Sequence, residues 1–235
     1  MYRRSSAGGS NKIRFYQRIV RENISRVIED NPELSTAQPL QKPVCAHWKR
    51  ALDQGRMLRT ANVIRAVESV STELSWMYGY ERLPKYMPEE FACAELVGPH
   101  GPVISHRLIL GLVLYGPGSA YPAHSHDGIA ESYFRLSGSV FENDARVDPP
   151  GFLIFNPSGR NRRITVAAHE SCLLACAWVG SQKSSQGINW CSGVAVPPPP
   201  EDLLNHWRRT PTAKVATRHR RVIWVIDLQQ QLCVF

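Results

Sequence analysis

Residues 118–138 read GSAYPAHSHDGIAESYFRLSG. The spacing is G-x5-H-x-H-x4-E-x6-G. Side chains alternate faces along a strand, so His124 and His126 are expected on one side, about 7 Å apart. Glu131 follows the short turn DGIA and is expected to open an antiparallel partner strand, within reach of the same point. Two imidazole nitrogens and a carboxylate oxygen suit a borderline divalent metal, Fe, Mn, Zn, Co or Ni. Coordination positions would stay open for water or substrate.

Outward from this window the chain changes texture twice. From residue 91 to 180, short apolar or alternating runs are separated by Gly, Pro and Asn: 91–97, 103–115, 131–137, 152–156, 162–168 and 171–179. Strand-sized runs at this spacing predict an antiparallel barrel or sandwich. ARVDPPG (145–151) reads as a turn. Before residue 90 the period is helical: Ile13, Tyr16, Ile19, Val20, Ile24, Val27 and Ile28 recur three and four apart over 11–30, and Pro32 ends the run. Further helices are expected over 46–53 and 60–74, with Gly55 as punctuation between them. After Gly180 the chain is linker-like, with four consecutive prolines at 197–200. The expected organisation is a helical segment (1–90), a β unit (91–180) and a basic, Pro-containing tail (181–235).

Hydrophobic residues make up 43% and charged residues 20% of the 235, which supports a folded core rather than disorder. No apolar run approaches the ~18 residues that would cross a bilayer. The N-terminus lacks a secretory h-region, so a soluble, cytoplasmic protein is expected. None of the six cysteines forms a C-x-x-C pair, and reduced thiols are expected. The net charge of +8 is unevenly placed: +6 over residues 1–80, −2 over 81–180 and +4 over 181–235. Basic flanks without a helix-turn-helix, a zinc finger or an aromatic–basic run give no basis for specific nucleic-acid binding. A homodimer through the helices is compatible with the pattern.

A second window, GFLIFNPSGRNR (151–162), lies at a fitting distance. Together the two windows resemble the paired signature motifs of the cupin superfamily. The first matches at every fixed position. The second has Gly151, Pro157 and Gly159, but Arg162 stands where the family has its last metal-binding histidine, and Val166 replaces the closing asparagine. Arginine stays protonated and has no lone pair, so Arg162 cannot ligate a cation. It could pair with Glu131, or hold an anionic substrate by bidentate hydrogen bonds. His169 lies seven residues on, in an expected turn.

Longer stretches sharpen the resemblance: MLRTANVIRAVESVSTELSWMYGY (57–80), LILGLVLYGPGSAYPAHSHDGIAESYFRLSGS (108–139), ENDARVDPPGFLIFNPSGRNRRIT (142–165) and ESCLLACAWVG (170–180). These resemble the cupin-type dimethylsulfoniopropionate lyases, most closely the DddL branch. The resemblance implies a mainly β fold, a cupin jelly-roll barrel with an α-helical N-terminal segment. It implies a zwitterionic small-molecule substrate split by β-elimination into dimethyl sulfide and acrylate, with a divalent transition metal held by His124, His126 and Glu131. It also implies a tyrosine base. Tyr133, two residues beyond Glu131, is the first choice, its phenol acidified by a nearby cation, and Tyr121 is the second. Trp178, Tyr80, Phe134 and Phe155 could offer aromatic faces to the sulfonium. The alternatives are a cupin weakened by Arg162 that only binds a small molecule, or a different cupin enzyme.

Overall fold

The computed structural model describes residues 10–35, 38–78, 86–146, 150–151 and 153–180. The expected tail (181–235) and Tyr80 lie outside the described residues. Four α-helices are found among the described residues: α1 (Asn11–Glu29), α2 (Trp48–Arg56), α3 (Ala61–Ser69) and the short α4 (Met87–Glu90). Eleven strands are described: β1 (Trp76–Met77), β2 (Phe91–Gly98), β3 (Val103–Ile104), β4 (Ile109–Tyr115), β5 (Ala120–His124), β6 (Ile129–Ser137), β7 (Val140–Glu142), β8 (Ala145–Arg146), β9 (Leu153–Asn156), β10 (Arg162–Val166) and β11 (Cys172–Gly180). They form a large sheet, β1-β2-β4-β11-β6-β9 with β3 beside β2, and a small sheet, β5-β10-β7-β8. All pairings are antiparallel except β2 with β3. The chain is therefore mainly β with N-terminal helices, as the sequence predicts.

Alternation along β11 sorts its side chains between two cores. Leu173, Ala175 and Ala177 join a cluster with Val20, Ile24, Val63, Ile64 and Val67 of the helices. Cys172, Leu174, Cys176 and Trp178 join a second cluster with Tyr121, Ile164 and Val166 of the small sheet. The helices thus cover one face of the large sheet and the small sheet covers the other. Strands β2 and β4 are buried along their whole length, which explains their continuous apolar runs. Each fully buried leucine of this layer contributes roughly 1.5–3 kcal/mol.

Polar ties fix the helices onto the sheet. Ser10 caps α1, its Oγ accepting from the Ile13 N–H. The Tyr16 hydroxyl donates to the Ala177 carbonyl at 2.6 Å. The Thr60 hydroxyl donates to the Leu136 carbonyl at 2.8 Å, joining the α2–α3 turn to β6.

Several expected boundaries move, each for a local reason. The helix expected over 60–74 stops at Ser69 and tightens into a 3₁₀ turn, because the Ser69 and Ser71 hydroxyls donate to the Ala66 and Glu68 carbonyls. Gly55 is not punctuation. It lies inside α2, where a Cβ would come within 2.5 Å of Ile64 Cδ1, so a bare backbone is needed for α2 to meet α3. The run 103–115 is broken by a turn in which Ser105 Oγ accepts from the Arg107 N–H. Ala145–Arg146, expected as turn, pairs with β7 instead.

Gly138 closes the first sequence window with φ +73°, and an added Cβ would lie 2.2 Å from the Ser171 carbonyl oxygen and 2.8 Å from Cys172 Cα. Both obstacles are backbone. Gly138→Ala should cost at least about 2 kcal/mol, combining left-handed strain with the clash, and a lowered urea midpoint would register it.

A buried acid sits within β2. Glu95 accepts from the His100 N–H at 2.7 Å, and its other oxygen lies 3.2 Å from His100 Nδ1. Glu95 raises the His100 pKa above its ordinary value, against the opposing effect of burial. The pairing therefore stabilises the fold fully below pH ~6.5 and fades as pH rises through the higher folded value. His100 is 45% exposed, so the effect should stay at or below about 1 kcal/mol. Denaturation curves from pH 6 to 8 should slope downward more steeply for the natural chain than for His100→Gln.

Candidate active site

The PAHSHDG segment (122–128) does not behave as one strand. Strand β5 ends at His124, and His126 lies beyond it in the crossing to β6. Nor is β6 the partner of β5: β5 pairs with β10 in the small sheet, while β6 pairs with β11 and β9 in the large one. The loop between them passes from sheet to sheet, so Glu131 faces the histidines across the sandwich. The second window supports this loop. The Gly159 N–H donates to the His126 carbonyl at 2.9 Å, and the Gly128 N–H donates to Ser158 Oγ at 2.8 Å.

The rings follow one another in a row. Tyr121 and His124 have centroids 4.7 Å apart, His124 and His126 5.2 Å, and His126 and Trp178 4.5 Å. His124 Nδ1 lies 2.8 Å from the Pro122 carbonyl, which orients that ring. Register places Trp178 opposite Glu131 across β11 and β6, and Asn156 opposite Glu131 across β9. On β10, Arg162 lies opposite His124, beside a register shift.

Glu131 is the hub. Its Oε1 accepts from the Trp178 indole N–H at 2.6 Å, and its Oε2 is ion-paired with the Arg162 guanidinium. Glu131 and Arg162 are each 1% exposed. The Tyr133 phenol lies in the same buried environment and interacts electrostatically with both. Arg162 Nη1 also donates to the Arg160 carbonyl at 3.3 Å, whereas its Nε is buried with no hydrogen-bond partner. Asn156 is buried as well, with neither amide atom partnered. Its position, in register with Glu131, was available by counting inward positions from Ile154, but the strand's short length hid it.

Burial sets the charge states. It lowers His124 to about 4, helped by Arg162, and lowers His126 to about 3, helped by Arg162 and His124. It pushes the Glu131 carboxyl up to about 7, with Arg162, Tyr133 and Trp178 pulling the other way. Burial and the neighbouring Glu131 hold the Tyr133 phenol well above its ordinary value. Among the protein's own groups, burial and then Glu131 oppose the acidified phenol expected from the sequence, and Arg162 only partly offsets them.

Two neutral imidazoles are sound donors for a divalent ion, but the third member of the expected set is engaged. Both Glu131 oxygens are occupied, one by a permanent cation. Among the described residues, no three His, Cys, Asp or Glu side chains are grouped to hold a metal. In this arrangement His124, His126 and Glu131 do not fit a divalent ion. His169 does not substitute, since it sits exposed in the β10–β11 turn. Phe134 and Phe155 pack on the helix side of the large sheet, Phe155 against Tyr16, so they are not walls of this site. Trp178 is at its centre.

Known proteins share both sequence and fold. The dimethylsulfoniopropionate lyase family model matches residues 16–174. A Cereibacter sphaeroides protein assigned as the dimethylsulfoniopropionate lyase DddL is 44% identical over 183 residues, 78% of this chain and 79% of that protein. The crystal structure of the lyase DddQ from Ruegeria pomeroyi superposes with a TM-score of 0.53 at 21% identity, covering 75% of this chain and 95% of that one. A structure described for the lyases RdDddP and RnDddQII gives 0.56 at 17% identity, covering 74% and 98%. At those identities the two structures speak to the fold. The sequence match goes further: the chain belongs to the dimethylsulfoniopropionate lyase family of carbon–sulfur lyases and is DddL-like.

Proposed function

We infer that the chain cleaves dimethylsulfoniopropionate to dimethyl sulfide and acrylate, with Tyr133 receiving the α-proton. The observation that carries this reading is the burial of Tyr133 on β6 two residues from Glu131, in the electrostatic field of the Glu131–Arg162 pair, within a chain of this family. A free phenolate is scarce at neutral pH, because burial and Glu131 oppose it. The phenol therefore works as a relay. It takes the substrate's α-proton while its own proton passes to Glu131. The electron pair of the broken C–H bond becomes the new C=C bond, and the C–S pair leaves on sulfur as the neutral thioether. The proton ends on Glu131, whose carboxyl, pushed up to about 7, is suited to hold and then release it.

The uncharged imidazoles and Trp178 suit the other end of the substrate. A sulfonium favours aromatic faces, and neither His124 nor His126 carries a charge at neutral pH to repel it. A divalent metal, where bound, would supply Lewis-acid polarisation of the substrate carboxylate. The test is headspace analysis of dimethyl sulfide over purified protein, with acrylate measured in solution. Stoichiometric release of both is expected. No release, with or without added Fe, Mn, Zn, Co or Ni, would overturn the reading.

A further inference from the structure

The site contains a fixed cation and unused hydrogen-bonding capacity at the same place. Arg162 Nε has no hydrogen-bond partner, and neither has the amide of Asn156. Both residues are 1% exposed, and both border Glu131, one by ion pair and one by register. Leaving such groups unpaired in a protein interior is costly unless a ligand completes them. The Glu131–Arg162 pair is neutral as a unit, so a net-neutral ligand can enter without unbalanced charge. A zwitterion with a carboxylate at one end meets that condition.

We propose that Arg162 is the resident cation of this site, binding the substrate carboxylate together with Asn156 in place of a divalent metal. The carboxylate would accept from Arg162 Nε–H and the Asn156 amide N–H, while Glu131 keeps Arg162 Nη2. Charge-assisted hydrogen bonds of this kind also withdraw charge from the carboxylate as the α-carbon is deprotonated. The idea rests on the lyase reading for its choice of ligand, but its test reads binding rather than turnover.

The probe is trimethylammonio-propionate, which keeps the carboxylate and replaces the sulfonium by an ammonium. The full chain is stripped with a chelator, its residual metal is measured, and the probe is titrated calorimetrically. Binding should survive chelation unchanged. The corresponding alcohol, lacking the carboxylate, should bind at least about 10-fold more weakly. Arg162→Gln should weaken binding by about 10- to 100-fold. Asn156→Ala, which strips an amide that has no partner, keeps the test open should Arg162→Gln not fold, and should weaken binding several-fold. Arg163→Gln, an exposed neighbour paired with Asp144, should leave binding unchanged. Arg162→His should raise bound Zn²⁺ toward one ion per chain, well above the natural protein. Probe binding lost on chelation and restored by Zn²⁺ or Mn²⁺ would overturn the proposal, as would undiminished binding in both Arg162→Gln and Asn156→Ala. Probe binding without dimethyl sulfide release would reject the lyase reading and leave the anchor in place. Release that strictly requires added metal would do the reverse.

Discussion

Glu131→Ala should destabilise the chain by about 3–5 kcal/mol, the cost of leaving one member of a buried ion pair without its partner. The guanidinium of Arg162 is 1% exposed and cannot discharge itself by losing a proton. The Trp178 indole N–H loses its acceptor in the same substitution. Because the folded carboxyl is pushed up to about 7, the contribution of Glu131 shrinks as pH rises from ~4.5 through that value, so the loss measured by chemical denaturation should be larger near pH 5 than near pH 8.

Removing the other partner should behave differently, and the contrast tests the account. In Arg162→Met the stranded group is a carboxyl, which can take up a proton. Burial already pushes Glu131 up to about 7 with Arg162 present, and Arg162 opposes that shift. Without the guanidinium the folded value rises further above the ordinary one. A group whose folded pKa is raised binds protons more tightly in the folded state, so its contribution is retained below pH ~4.5 and lost as pH climbs through the folded value. The cost of Arg162→Met should therefore be small near pH 5 and grow toward pH 8. A cost equal at both pH values would show that the carboxyl stays charged throughout.

The sheet that carries the site was readable because both of its faces are covered. Strands β2, β4 and β11 meet helices on one side and the small sheet on the other, so FACAELVG, ILGLVLY and CLLACAWVG read as apolar runs of strand length. The small sheet is less legible. In β5 only Tyr121 is fully buried, and a strand with one inward side chain leaves little period to detect. The site divides along the same line. Arg162 stood out because it occupies a position where a donor was expected, and its pairing with Glu131 was among the readings the residues allowed. The partner of the other Glu131 oxygen did not stand out. Trp178 is 47 residues away in sequence, and the β6–β11 register that brings it to Glu131 is fixed by packing over the whole sheet. His126 illustrates the opposite error. Strand alternation placed it beside His124, and the rings do meet, but through a loop held by Ser158 and Gly159 rather than through a strand.

Tyr133→Phe should lower the turnover of dimethylsulfoniopropionate by about 10²- to 10⁴-fold, the range expected for loss of a positioned proton-transfer group. The ring is 4% exposed and packed in the inter-sheet core, and phenylalanine preserves its shape, so circular dichroism and the denaturation midpoint should change little. The loss should fall on kcat with KM nearly unchanged, because the phenol oxygen engages the α-proton only as it moves. Tyr121→Phe is the internal comparison. Tyr121 packs among Phe91, Tyr115 and His124, whereas the Tyr133 phenol is coupled electrostatically to the Glu131–Arg162 pair, so Tyr121→Phe should cost less than about 10-fold in kcat. A larger loss at Tyr121 than at Tyr133 would move the proton-accepting role to Tyr121 and remove Glu131 as the relay's terminus. The relay also has its own signature. If the α-proton passes through the Tyr133 oxygen to Glu131, Glu131→Gln should suppress kcat about as strongly as Tyr133→Phe, and combining the two should cost little more than either alone, since residues acting as one unit are not additive.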